Sequence, residues 1–399
     1  MAKTNLLVVS LDTLRADVAY SSRLPNLEAL RSRSSTFRKV VSSVPLTPPS
    51  HASIFTGLQP SRHGIRHLLR EQLRSNIPTL ASILAHAGYS TGAVVSCPGL
   101  NEWYGLAHGF QHYDDDIPRL PDGRDALQLA DVKLRGLALK RAPLVVERAL
   151  EWLASRPAEP FFLFAHFFDT HWPYEPPEDY GVPVDNAYEG EAAYTDFHLG
   201  RLLDGIEKAG HDLDRMLIVV FSDHGEDLAG WYPNDHAGAC GHPEEEGHGC
   251  LLYDATQLVP LVFRWPGRAP VIEIPHQVRL IDVLPTILEM LEIRISAELD
   301  GASLVPYLTG VERSHRMAYS ETFFREELAA ANPAYASLAP LRSLRIDDRF
   351  KLFWERGADQ PSVVDLVSDP YELRSQILDP ASPLGRELRA EAKLLLESA

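Results

Sequence analysis

Apolar and polar positions follow two distinct patterns along this chain. The runs at 6–11, 92–95, 161–166, 217–221 and 258–263 are almost wholly apolar and only four to six residues long. That length and continuity predict strands buried on both faces. Between them, 25–32, 50–56, 79–87, 145–155, 192–209 and 281–291 mix apolar and polar positions and predict helices, two of them stopped by Gly88 and Gly210. Strands alternating with helices imply an α/β fold, a large mostly parallel mixed sheet with helices on both faces.

After about Gly310 the pattern changes. Segments 341–346 and 350–354 predict a hairpin around Asp347-Asp348-Arg349, followed by a strand at 363–366 and a closing helix over 384–398. The expected division is a large domain over 1–310 and a small C-terminal α+β subdomain, an antiparallel sheet with its closing helix, over 311–399.

Polar residues gather where the predicted strands end. Segment 6–11 runs into Asp12, 217–221 into Ser222-Asp223-His224-Gly225, and 161–166 towards Asp169-Thr170-His171. Open α/β sheets bind ligands beyond the carboxyl ends of their strands. Ligand-type carboxylates and imidazoles at three such ends suit a divalent cation.

Composition narrows the partners. A formal net charge of -17 with no basic stretch argues against nucleic acid. An anionic substrate would have to be held by local positive charge against an unfavourable global field. No run is long and apolar enough to span a bilayer, so no membrane partner is expected. Met1-Ala2-Lys3-Thr4 leads straight into the first strand without a leader pattern, and the three cysteines lack metal-type spacing, so the expected location is cytoplasmic.

The stretch Thr47-Pro48-Pro49-Ser50-His51-Ala52-Ser53-Ile54-Phe55-Thr56-Gly57, followed by Pro60 and His63-Gly64, resembles the nucleophile segment of the sulfatase and alkaline phosphatase superfamily. Leu11-Asp12-Thr13-Leu14-Arg15-Ala16-Asp17 and Ser222-Asp223-His224-Gly225-Glu226 resemble its metal-binding segments and occur in the expected order. The C-terminal Asp365-Leu366…Asp369-Pro370-Tyr371-Glu372 is similar to a segment of the sulfatase subdomain. The resemblance implies an alkaline phosphatase-like fold. It also implies a divalent metal held by Asp12, Thr47, Asp223 and His224. The mixed oxygen and nitrogen donors favour zinc or manganese, with calcium or magnesium also open.

In sulfatases the residue matching Thr47 is a Cys or Ser that is oxidised to formylglycine, which Thr cannot become. Pro48-Pro49 fits just inside a helix start, placing Thr47 at an N-terminus whose amides and dipole favour an anion. His171, in Asp169-Thr170-His171-Trp172-Pro173-Tyr174, resembles the family histidine at the leaving-group oxygen, a general acid if protonated near its usual pKa. His248 resembles the Lys or His that contacts the transferred group. His51 stands where the sulfatase signature carries Arg after Pro-Ser. With Thr47 these three histidines make the candidate catalytic set. The Lys and His that sulfatases place after Gly-Tyr-x-Thr are absent after Gly88-Tyr89-Ser90-Thr91.

A second metal of the alkaline phosphatase kind needs Asp-x-x-x-His, which Asp169-x-His171 does not match, so one metal is expected. His166, inside a strand, reads as a buried hydrogen-bonded histidine. The stretch 231–249, with His236, His242 and Glu244-Glu245-Glu246, reads equally as a specificity lid or a solvated loop. The expected activity is hydrolysis of a small anionic ester, phosphate or phosphonate, through a covalent Thr47 intermediate. Sulfate ester hydrolysis by unmodified Thr, and anion binding without catalysis, are the alternatives.

Overall fold

A computed structural model describes residues 4–68, 70–118, 140–178, 187–228, 247–331 and 339–397. The 231–249 stretch falls outside these up to residue 246, including His236, Cys240 and His242.

Eight strands form the main sheet: β1 (Leu6–Leu11), β2 (Ser35–Val41), β3 (Ser90–Val94), β4 (His112–Asp114), β5 (Phe161–Phe167), β6 (Leu217–Phe221), β7 (Leu258–Arg264) and β8 (Ile272–Arg279). Their order is β4-β3-β5-β1-β6-β7-β2-β8. Only β7 runs against its neighbours. Alternate side chains of each central strand enter opposite cores. Leu6 and Val8 pack on one face with Ala52, Ile54 and Leu284, whereas Leu7, Val9 and Leu11 pack on the other with Val145, Ala149 and Leu199. Burial on both faces is why these strands read as unbroken apolar runs.

The second sheet is antiparallel, in the order β13-β12-β11-β10-β9. It comprises β9 (Ala318–Thr322), β10 (Leu341–Arg345), β11 (Phe350–Glu355), β12 (Ser362–Asp365) and β13 (Gln376–Ile377). The expected α/β architecture and the small C-terminal antiparallel sheet are both observed. The closing helix is interrupted, as Pro383–Glu387 and Arg389–Glu397.

Strand β9 docks beside the end of β2: Ser320 Oγ donates to Ser42 O at 2.7 Å and Glu321 N to Ser43 O at 3.0 Å. A bidentate pair, Arg66 to Glu321 at 2.7 and 2.6 Å, ties the same strand to the larger unit. Beneath it, Arg345 and the buried Lys351 grip Asp254 at 3.1 and 2.9 Å.

Candidate active site

The carboxyl ends of β3, β5, β1 and β6 lie side by side, because the register pairs Ser10 with His166 and with Phe221, and Val94 with Ala165. Asp12 follows β1, Asp223 and His224 follow β6, and both carboxylates and the imidazole are fully buried. Immediately after Asp12, Thr13 adopts φ 56°, an uncommon conformation for a β-branched residue. Its N–H donates to Asp223 Oδ1 at 3.3 Å, and its carbonyl accepts from the Tyr188 hydroxyl at 2.8 Å. The strained residue thus joins the two strand ends.

Thr47 opens a helix, Thr47–Thr56, whose residues are all buried. Its Oγ1 lies 3.3 Å from Asp12 Oδ2 and 3.3 Å from His224 Nε2. The expected amide cradle is reduced. Pro48 and Pro49 carry no N–H, and Ser50 N donates to Leu46 O at 3.0 Å. The helix dipole remains there, without a row of free donors.

His224 Nδ1 is engaged by Gly225 O at 3.0 Å, so Nε2 turns its lone pair inward. That nitrogen lies 3.4 Å from Asp223 Oδ2 and 3.9 Å from Asp12 Oδ1. Both of those oxygens are buried without a hydrogen-bond partner. An unpaired buried carboxylate oxygen is costly, and two of them converging on an imidazole lone pair fit a divalent cation. Without one, burial pushes Asp12 above the usual carboxylate range. Burial opposes protonation of His224, but Asp223 and then Asp12 outweigh it and raise its pKa. Asp12, Asp223 and His224 can hold a metal between them, and the Thr47 hydroxyl joins them. Gly225 permits this turn: a Cβ there would stand 2.1 Å from Ala255 O.

His171 and His248 flank the cluster at the entrance. Their ring centroids are 4.8 Å apart, and His248 lies 4.3 Å from His224. His171 Nδ1 donates to Trp172 O at 2.6 Å, leaving Nε2 as the other ring nitrogen. Their protonation differs from the expectation. Burial and then the neighbouring His248 lower the pKa of His171 to about 4, and burial lowers that of His248 well below the ordinary imidazole range. Burial therefore favours the neutral ring at both positions.

His51 lies behind Thr47, away from the entrance. Its Nδ1 meets Thr47 O at 2.9 Å and its Nε2 meets Ser10 Oγ at 3.0 Å. Burial holds its pKa down at about 4. Both nitrogens are engaged, so it is placed to orient the nucleophile from below, not to touch a substrate. Asp169 is also apart from the cluster, bonded to Arg141 Nε at 2.9 Å and Ala142 N at 3.1 Å. His166 is buried as read, between Ser96 Oγ at 2.8 Å and Asp12 Oδ2 at 3.1 Å.

Sequence reasoning missed Glu226. It is fully buried, accepts from His248 Nδ1 at 2.8 Å, and burial raises its pKa to about 7. Its signal was its place two residues after His224, in a motif read only for its metal ligands.

A protein-family model described as Sulfatase matches residues 4–293, and one described as N-sulphoglucosamine sulphohydrolase, C-terminal, matches residues 249–395. A choline-sulfatase from Rhizobium meliloti (strain 1021) is 26% identical, covering 96% of this chain and 84% of the relative. A Delta 4,5-hexuronate-2-O-sulfatase from Bacteroides thetaiotaomicron is 24% identical over 99% of this chain and 88% of its own. The phosphonate monoester hydrolase of Agrobacterium radiobacter superposes with a TM-score of 0.76 at 22% identity, covering 99% of this chain and 95% of that one. Among the described residues no helix is long and apolar enough to cross a membrane.

Proposed function

The chain belongs to the sulfatase family and is an ester hydrolase; on that premise we propose that it cleaves a phosphate ester or phosphonate, with Thr47 as a covalent nucleophile. The observation that carries this reading is the Thr47 hydroxyl itself, 3.3 Å from both Asp12 and His224 and unable to become formylglycine. The phosphonate monoester hydrolase with the same fold gives a precedent for phosphoryl chemistry on this architecture.

A divalent cation, zinc or manganese by donor type, would be held by Asp12, Asp223, His224 and the Thr47 oxygen, supplying the charge that activates a hydroxyl and neutralises an anionic ester. Thr47, its hydroxyl proton passed to solvent under the charge the cation would supply, forms a bond from Oγ1 to phosphorus as the bond to the leaving oxygen breaks. His171 or His248, its pKa lifted by the anionic ester beside it, delivers a proton to that oxygen. Water then attacks phosphorus, giving its proton to the imidazole left neutral by the first step, and Thr47 Oγ1 leaves, releasing phosphate or phosphonate. His51 fixes the first turn of the nucleophile helix, and Glu226 holds His248 in one orientation.

A matched panel of aryl phosphate monoester, diester, phosphonate and sulfate tests the assignment. The phosphorus esters are expected to turn over faster, with unmodified Thr47 transiently heavier by one phosphoryl group in intact-mass spectra. Thr47→Ala abolishes turnover and Thr47→Ser retains part of it. Faster sulfate release by unmodified protein would establish the alternative that the sulfatase relatives favour.

A further inference from the structure

A second cluster of ligand-type side chains adjoins the first and shares Asp12. One oxygen, nitrogen or sulfur atom from each of Asp12, Cys97 and His166 lies within 4.8 Å of the others, and all three residues are buried. Two donors at about 2.0–2.3 Å from one zinc ion cannot be more than about 4.6 Å apart. Atoms grouped within that limit can close onto one ion with small side-chain movements. We infer that Asp12, Cys97 and His166 form a binding site for a second, thiophilic cation, with zinc as the fitting class, bridged to the first through the Asp12 carboxylate.

The topology brings the three together from separate strand ends. Cys97 follows β3, His166 lies in β5 and Asp12 follows β1, and these strands are consecutive in the sheet. Asp12 reaches both clusters: Oδ1 lies 3.9 Å from His224 Nε2, and Oδ2 lies 3.1 Å from His166 Nε2 and 3.3 Å from Thr47 Oγ1. His166 carries the outer-shell partner that metal-ligating histidines need, since Nδ1 is 2.8 Å from Ser96 Oγ. In the proposed site Nδ1 carries the proton and Nε2 ligates, so the cation takes the place of the hydrogen bond between Nε2 and Asp12 Oδ2. The Cys97 sulfur lies across one residue's width from the nucleophile: a Cβ on Gly99 would be 3.5 Å from Cys97 Sγ and 3.4 Å from Thr47 Cβ. Thiolate with imidazole and carboxylate selects zinc over calcium or magnesium. Spacing along the chain hid the site, because each ligand comes from a different strand.

The inference rests on the reading of Asp12 as a metal ligand, and metal counting separates the two. Protein stripped with chelator, reloaded with zinc and desalted is expected to retain two ions per chain by elemental mass spectrometry. Cys97→Ser and His166→Gln each leave one. Cobalt(II)-loaded wild type shows a thiolate-to-cobalt charge-transfer band that Cys97→Ser removes, and zinc absorption spectra contain a sulfur shell at about 2.3 Å. These readouts on unmutated protein remain decisive if a variant fails to fold. One ion per chain, lost in Asp223→Asn and kept in Cys97→Ser with no sulfur shell, overturns the second site and leaves the first. One ion lost in Cys97→Ser and kept in Asp223→Asn supports the thiolate site and overturns the first. No retained ion overturns both.

Discussion

His171 and His248 show how far a histidine's chemistry depends on neighbours remote in sequence. Their positions near the nucleophile were legible from short motifs. Their depressed pKa values were not, because burial and the approach of His248 to His171 and of His224 to His248 arise only in the folded molecule. Under the proposed mechanism, His171→Ala costs about 10²–10⁴ in kcat on an alkyl phosphate and much less on a nitrophenyl ester, whose leaving group needs no proton. Equal losses on both substrates in steady-state assays would remove the acid role. Glu226, whose partner His248 follows 22 residues later, had no sequence signature beyond its motif. Likewise, the strain at Thr13, whose N–H meets Asp223 Oδ1, is invisible in a one-dimensional reading.

Among elements, legibility followed burial. Strands β1 and β6 have the ends that their apolar runs predicted, Leu6–Leu11 and Leu217–Phe221. Strands β2 and β8 were not anticipated. They lie towards one edge of the sheet, and Arg38, Lys39, Glu273 and His276 interrupt their apolar character. Strands with partly solvated positions do not produce the continuous signal of fully buried ones. The helix at Thr47–Thr56 begins three residues before the apolar pattern does, since its first turn is Thr-Pro-Pro. The turn after β6 leaves no room for a side chain, and Gly225→Ala is expected to cost about 1–3 kcal/mol or more. Because the displaced backbone carries His224, retained zinc falls together with the urea midpoint. A variant with lowered stability and unchanged zinc content would show that the turn and the ligand move independently.

At the scale of the whole molecule, the two sheets are joined through buried charge. Burial alone would raise the pKa of Asp254, but Arg345 and then Lys351 hold it below the carboxylate range. A carboxylate with a depressed folded pKa contributes stability above its unfolded pKa of about 3.9, which is lost as pH falls further. Asp254→Asn, by breaking a buried ion pair, is therefore expected to cost about 3–5 kcal/mol at pH 7. In chelator-treated protein, the gap from wild type in denaturant titrations narrows below about pH 4. A gap constant with pH would assign the loss to packing. Asp254 is also two residues from Thr256, whose carbonyl accepts the Gly225 N–H at 2.8 Å beside His224. Linkage through this short path is reciprocal. By whatever factor docking of the C-terminal sheet strengthens cation affinity, cation binding must strengthen docking of the sheet. Chelation is then felt at β10 and β11 as faster amide exchange, although neither strand donates a ligand.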